Sequence, residues 1–159
     1  MSPSGAVLVV PVVDEPTRAS AYAIRFEVFV DEQGVPRELE LDELDDVADH
    51  VLVLVDGFAA ATGRLVVEAP GFEGLDVEAG PVAHLGRIAV RAAHRGFGLG
   101  ATVVRALEER AVDAGLRVAY LEAQVVALEF YAKLGYTLLA GPPHDSAGIP
   151  HRHMTRPLP

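Results

Sequence analysis

Ile88-Ala89-Val90-Arg91-Ala92-Ala93-His94-Arg95-Gly96-Phe97-Gly98-Leu99-Gly100-Ala101 is the stretch whose reading decides the fold. An apolar strand-like run enters it, glycines alternate through its second half, and a long helical pattern leaves it. Glycine tolerates positive φ and lets a backbone come close to a ligand. The first N–H groups of a helix lack acceptors of their own, and with the helix dipole they make an anion site. Arg95 adds a fixed positive charge beside them. The stretch predicts a strand, a turn suited to a diphosphate, and a helix.

Other readings of the same letters compete. Gly96-x-Gly98-x-x-Ala101 also satisfies the dinucleotide-binding fingerprint, and Glu122 lies about where that fold places its ribose-binding acid. Against it, the turn comes late in the chain and hairpin strands precede it. Little more than one βα unit remains behind it to build a second half. A glycine-rich turn with no ligand would leave three alternating glycines unexplained, each at a cost in ordering entropy. Gly-x-x-x-x-Gly-Lys-Ser/Thr is absent, which disfavours a nucleotide triphosphatase.

Upstream, Val7 to Val13 reads as a strand, and Asp14-Glu15-Pro16 is a helix start. Tyr22, Phe26, Phe29 and Val30 then mark one helical face, which Gly34-Val35-Pro36 closes. Residues 38 to 49 are acidic, reading as a solvated loop or as a receiver for a cationic group. His50 leads into the strand Val51–Val55, Asp56-Gly57 is a type I′ hairpin signal, and Phe58 to Glu68 returns. Ala69 to Ala83 is a loop and His84 to Val90 a strand. Downstream, Gly98 to Ala114 is helical, with Leu99, Val103 and Leu107 on one face. Val118–Ala123 is a strand, a short helix through Tyr131 ends at Gly135, and strands follow at Tyr136–Leu139 and Arg152–Arg156. Hairpins mixed with βα units imply an α/β chain with one mixed sheet and helices on its faces.

The chain has 159 residues, half of them apolar, which fits a single domain spanning 1–159 with a sizeable core. It contains no cysteine, which removes disulfides, thiolate metal sites and a cysteine nucleophile. The first residues show no secretory pattern and no apolar run is long enough to cross a bilayer, so a cytoplasmic protein is expected. A net charge of −10 argues against nucleic acid or an anionic membrane as partner and favours cationic small molecules.

The central motif Arg95-x-x-Gly98-x-Gly100, preceded by Leu85–Val90, resembles the acetyl-CoA motif of the GNAT N-acetyltransferase superfamily. Phe130-Tyr131-Ala132-Lys133-Leu134-Gly135-Tyr136 resembles its second signature. Val28–Gln33, Glu40–His50, Ala123-Gln124 and Gly148–His151 are similar to the small ElaA-like branch, so the likeness covers most of residues 21 to 156. The asparagine that many members carry before the last helix is not evident; Gln124 stands nearby.

The resemblance implies a mostly antiparallel sheet of six to seven strands, splayed at its centre and flanked by about four helices. It implies an acetyl-CoA-dependent N-acyltransferase, with a non-catalytic acyl-CoA-binding protein on the same fold as the alternative. Pantetheine would pair with the backbone of Ile88, Ala89 and Val90. The pyrophosphate would rest on the N–H groups of Arg95, Gly96, Phe97, Gly98, Leu99, Gly100 and Ala101. An N–H near Val90 would meet the oxyanion, and Tyr131 stands where the family keeps its general acid. Glu122 and His84 are candidate bases. Glu32, Gln33 and His50 are candidates for binding an amine acceptor, with His151 a further one. His144, His151 and His153 crowd one end without a matched carboxylate, and no metal is expected. Dimers are common in the family, so the resemblance allows a homodimer.

Overall fold

The computed structural model describes residues 5–159; Met1–Ser4, part of the stretch read above for a secretory signal, lie outside them. Hydrogen bonding links eight strands in the order β1-β2-β3-β4-β5-β8-β6, with β7 beside β8. That is one or two strands more than the sequence predicts. The chain divides into two compact units, one comprising residues up to Val66 and Arg87–Leu107, the other Val67–Gly86 and Glu108–Pro159.

In the first unit, β1 (Val7–Pro11) is followed by α1 (Glu15–Arg25). Asp14 accepts from the Thr17 N–H and Thr17 returns the bond, a capping box that satisfies N–H groups with no partner inside the helix. α1 then widens into a π-helical stretch, Phe26–Glu32, closed by Gln33 N–H to Val28 C=O at 3.2 Å. The buried face is Ala21, Ile24 and Val28, packed on Leu52 and Ala89. This lies one step round from the predicted stripe, whose Tyr22 and Phe29 only flank it.

β2 (Asp49–Val55) pairs antiparallel with β1 and with β3 (Phe58–Glu68). Asp56 and Gly57 take φ of 50° and 82°, the left-handed pair that a type I′ hairpin requires. β4 (Val82–Val90) ends in this unit, where Arg91 N–H bonds Ala60 C=O at 2.9 Å. α3 (Leu99–Asp113) follows, and Leu99, Val103 and Leu107 are buried as their spacing predicts. It comes so close to β3 that a Cβ on Gly63 would sit 2.5 Å from the Val103 side chain.

The acidic segment is only in part a solvated loop: Glu38, Glu43 and Asp46 are exposed, while Glu40 and Asp45 are buried. It forms α2 (Arg37–Glu40) and a 3-10 turn, Glu43–Asp46, and it turns carboxylates inward. Arg25 donates to Glu40 Oε2 at 2.9 Å and to Asp45 Oδ1 at 2.6 Å; Arg64 donates to Asp42 Oδ1 at 2.8 Å and Asp45 Oδ1 at 2.9 Å. Arg25, Glu40 and Asp45 are buried. Arg87 reaches Glu40 at 3.1 Å and Asp42 at 3.4 Å, and its backbone stands at φ 51°, strained for a side-chain-bearing residue. Burial would raise the Asp45 carboxyl, but hydrogen bonds from Arg25, the Asp42 backbone and Arg64 outweigh it. They pull the group from 3.8 to about 2. Glu40 goes the other way, since burial prevails over its arginine contacts.

In the second unit, β4 pairs parallel with β5 (Val118–Gln124) through Ala83↔Ala119, His84↔Tyr120 and Leu85↔Leu121. α4 (Leu128–Lys133) ends at Gly135, φ 101°, where Tyr136 N–H bonds Tyr131 C=O at 3.1 Å. β6 (Thr137–Leu138), β7 (His144–Ser146) and β8 (Ile149–Pro157) complete the unit. β8 pairs with β5 along its length, from Val118↔Pro157 to Gln124↔His151. The core gathers Val82, Val118 and Tyr120 against Phe72, Leu75, Ala79 and Leu139. Buried Glu108 accepts from Tyr136 at 2.7 Å and pairs with Arg156 at 2.9 Å. Among the described residues no helix is long and apolar enough to cross a membrane.

Gly63→Ala is expected to lower stability by about 1–3 kcal/mol, because Val103 and Leu107 must both give way; urea unfolding measures it. The Asp45 carboxyl, lowered on folding, contributes stability that is complete above pH 4–5 and lost as pH falls through about 2. Its share is about 2 kcal/mol. Since Glu40 works in the opposite sense, the comparison with Asp45→Asn isolates it. The variant should be less stable at pH 7 and should lose less on acidification, in thermal melts from pH 7 to pH 2.

Candidate functional site

In the first unit, β4 leads into a 3-10 turn, Ala92–His94, and then into the glycines before α3. Gly96 and Gly98 stand at φ 87° and 80°, where side-chain-bearing residues are strained. A Cβ at either would meet nothing within 4 Å, so their backbone conformation, not crowding, demands glycine. Gly100 lies inside the first helical turn and needs no positive φ, unlike its two predecessors. The first i→i−4 bond of α3 runs from Thr102 N–H to Gly98 C=O at 3.1 Å. The N–H groups of Leu99, Gly100 and Ala101 therefore precede the helical ladder, the position at which a helix offers donors to an anion.

Arg95 is anchored on two sides. Its Nε donates to Val90 C=O at 2.9 Å, and its Nη2 spans both Glu32 oxygens at 3.0 and 2.8 Å. Glu32 is brought there by the π-helical stretch, which re-aims the end of the helix. The sequence reading missed this pair, for nothing in the letters couples residues so far apart. One backbone group expected to serve pantetheine, the Val90 carbonyl, is already used by Arg95. Beside the turn, Arg91 Nε lies 3.3 Å from Glu27 Oε2.

His50 is placed differently from expectation. Only 5% of it is exposed, and its Nε2 lies 3.0 Å from Asp45 C=O. Burial holds its pKa below the usual histidine range. It belongs to the ion cluster beneath the acidic segment, not to an open acceptor pocket.

The remaining candidates lie in the second unit. Tyr131 is half-buried on α4, its ring edge-on to Phe130 and Tyr136. Burial alone pushes its hydroxyl up to about 12. Glu122 is exposed on β5 and its Oε1 lies 3.0 Å from His144 Nε2 on β7. His84 is 3.6 Å from Glu68 and stacks near Tyr120 and Phe72. Tyr120, buried, hydrogen-bonds His153 on β8. The partnership of Glu122 with histidines was not legible in the sequence, because β7 was unforeseen.

Residues 18–136 match the model of the Acetyltransferase (GNAT) family. An uncharacterized N-acetyltransferase of Bacillus subtilis, YjcF, is 37% identical over 86% of this chain and 89% of its own. A Lactobacillus plantarum protein assigned as an N-acetyltransferase superposes with a TM-score of 0.83 at 30% identity, over 96% of this chain and 99% of that one. Escherichia coli ElaA superposes with a TM-score of 0.75 at 21% identity, over 95% and 99%, a likeness of fold. The family match sets aside the dinucleotide-fold reading of Gly96–Ala101.

Gly98→Ala forces a left-handed φ on a residue with a Cβ, at about 1–2 kcal/mol. It is expected to lower the Tm by a few degrees, read by calorimetry, and to weaken any anion held by the α3 N-terminus.

Proposed function

Because this chain belongs to the acetyltransferase (GNAT) family, we propose that it transfers an acetyl group from acetyl-CoA to a primary amine. The acceptor is a small molecule or an amino group of a peptide or protein. Transfer is direct, within a ternary complex, and residues 1–159 act as one cytoplasmic domain. The observation that carries the reading is the turn before α3, whose two left-handed glycines lead into the N–H groups that precede the helical ladder.

The pyrophosphate is assigned to the N–H groups between Arg95 and Ala101, with Arg95 as the positive charge beside them. An acidic protein gains a local anion site this way without a basic surface. Pantetheine is assigned to the backbone of Ile88 and Ala89, with the Val90 N–H meeting the tetrahedral oxyanion. The β4–β5 pairing runs from Ala83↔Ala119 to Leu85↔Leu121, so the backbone of Ile88 and Ala89 lies beyond it.

Aminolysis of a thioester also needs a neutral amine and a proton or hydrogen bond for the departing sulfur. Tyr131 is assigned the second task. A hydroxyl pushed up to about 12 is protonated throughout the neutral range. It is a weaker acid than an ordinary thiol, near 8.5, so its contribution is a hydrogen bond to developing thiolate ahead of full proton transfer. Glu122 is assigned as the base, its carboxylate held by His144. Glu32 and Gln33 are assigned to the acceptor side. Glu32 keeps Arg95 in place, and a cationic amine is favoured by the protein's charge.

Acetyl-CoA is expected to raise the Tm by the equivalent of about 2.7 kcal/mol at a hundredfold excess over Kd, while NAD leaves it unchanged. With a panel of amines, free thiol should appear. Tyr131→Phe should slow thiol release roughly 100-fold with the acetyl-CoA Tm shift intact. No Tm shift with acetyl-CoA overturns the proposal, and an unchanged rate removes Tyr131 from it.

A further inference from the structure

We infer that Glu122, His144 and His153 form a binding site for one divalent transition-metal cation of the zinc type. The sheet register creates it. Glu122 on β5 stands directly opposite His153 on β8, and His144 on β7 pairs with His151, two residues from His153 along the same strand. Residues two apart on a strand share a face, so all three side chains converge on one side of the sheet. One ligand atom from each lies within 4.8 Å of the others.

A tetrahedral zinc ion with bonds of about 2.0–2.2 Å holds its ligand atoms about 3.4 Å apart. His144 Nε2 and Glu122 Oε1 are at 3.0 Å already. Their side chains are 35% and 40% exposed, which leaves them room to adjust. The centroids of the His153 and His144 rings lie 4.6 Å apart.

The orienting partner that a metal-bound histidine needs is also present. Tyr120 hydrogen-bonds Nδ1 of His153, and a phenolic oxygen that accepts from Nδ1–H leaves the Nε2 lone pair for a metal. Two imidazoles and a carboxylate suit zinc and its neighbours. Magnesium and calcium prefer sets made wholly of oxygen. Three protein ligands leave a fourth position open, and a chain of net charge −10 attracts cations to it.

Metal binding here does not rest on the acetyltransferase reading. What does rest on it is the consequence, since a cation held by Glu122 occupies the carboxylate assigned as base and makes acetyl transfer zinc-sensitive.

The test is equilibrium dialysis of the tag-free, chelator-treated full chain against ZnCl2, with circular dichroism confirming that each variant is folded. One zinc per chain is expected. His144→Ala should weaken binding about 100-fold, and Tyr120→Phe, which removes only the orienting hydroxyl, about tenfold. His151→Ala should bind as the parent does, because its Nδ1 is already bonded to Ile149 C=O at 2.7 Å. Absence of saturable zinc uptake overturns the proposal. So does stoichiometric uptake that survives in folded His144→Ala.

Discussion

The first unit is organised by one carboxylate. Asp45 is shared between Arg25 from α1 and Arg64 from β3, with Glu40, Asp42 and Arg87 completing the charge balance. Buried ions are costly to desolvate, and removing one partner of such a set typically costs about 3–5 kcal/mol. Here every arginine finds more than one carboxylate oxygen, so the segment from Arg37 to Asp46, built of two short helical turns, is tied to a helix and two strands. The same ties hold Arg87 at positive φ, a conformation that it would leave if unsupported.

The helix widens from Phe26, next to the clustered Arg25, and the Arg37 guanidinium lies over the Phe26 ring, 4.3 Å from its centroid. The widened turn delivers Glu32 to Arg95, and Arg95 in turn to the carbonyl of Val90. Polar contacts thus link the end of this helix to the glycine turn. The Arg95 guanidinium at the turn is thus paired with the Glu32 carboxylate.

The second unit uses aromatic and imidazole rings where the first uses ions. Phe72, His84, Tyr120 and His153 follow one another with centroids 5.0 to 5.5 Å apart, spanning β4, β5 and β8. Burial and nearby carboxylates raise the Tyr120 hydroxyl, which therefore stays a neutral hydrogen-bonding group in the midst of this row. Glu122 and His144 sit at its solvent end.

Much of this was legible in the letters. The hairpin at Asp56-Gly57, the α3 face of Leu99, Val103 and Leu107, and the glycine turn follow from local rules: positive φ, helical period and unpaired N–H groups. The extra strand β7 escaped notice because a three-residue strand carries no periodic signal and forms only by pairing with β8. The burial of Glu40, Asp45 and His50 was not legible for a related reason. A charge pattern does not say which carboxylates will meet arginines distant in sequence. By itself the sequence determined most of the elements and the glycine turn, since those depend on neighbours within a few residues. Only the tertiary structure decided which charges are buried, that Glu32 holds Arg95, and that Glu122 meets two histidines, because each requires chain segments far apart in sequence to be brought into register.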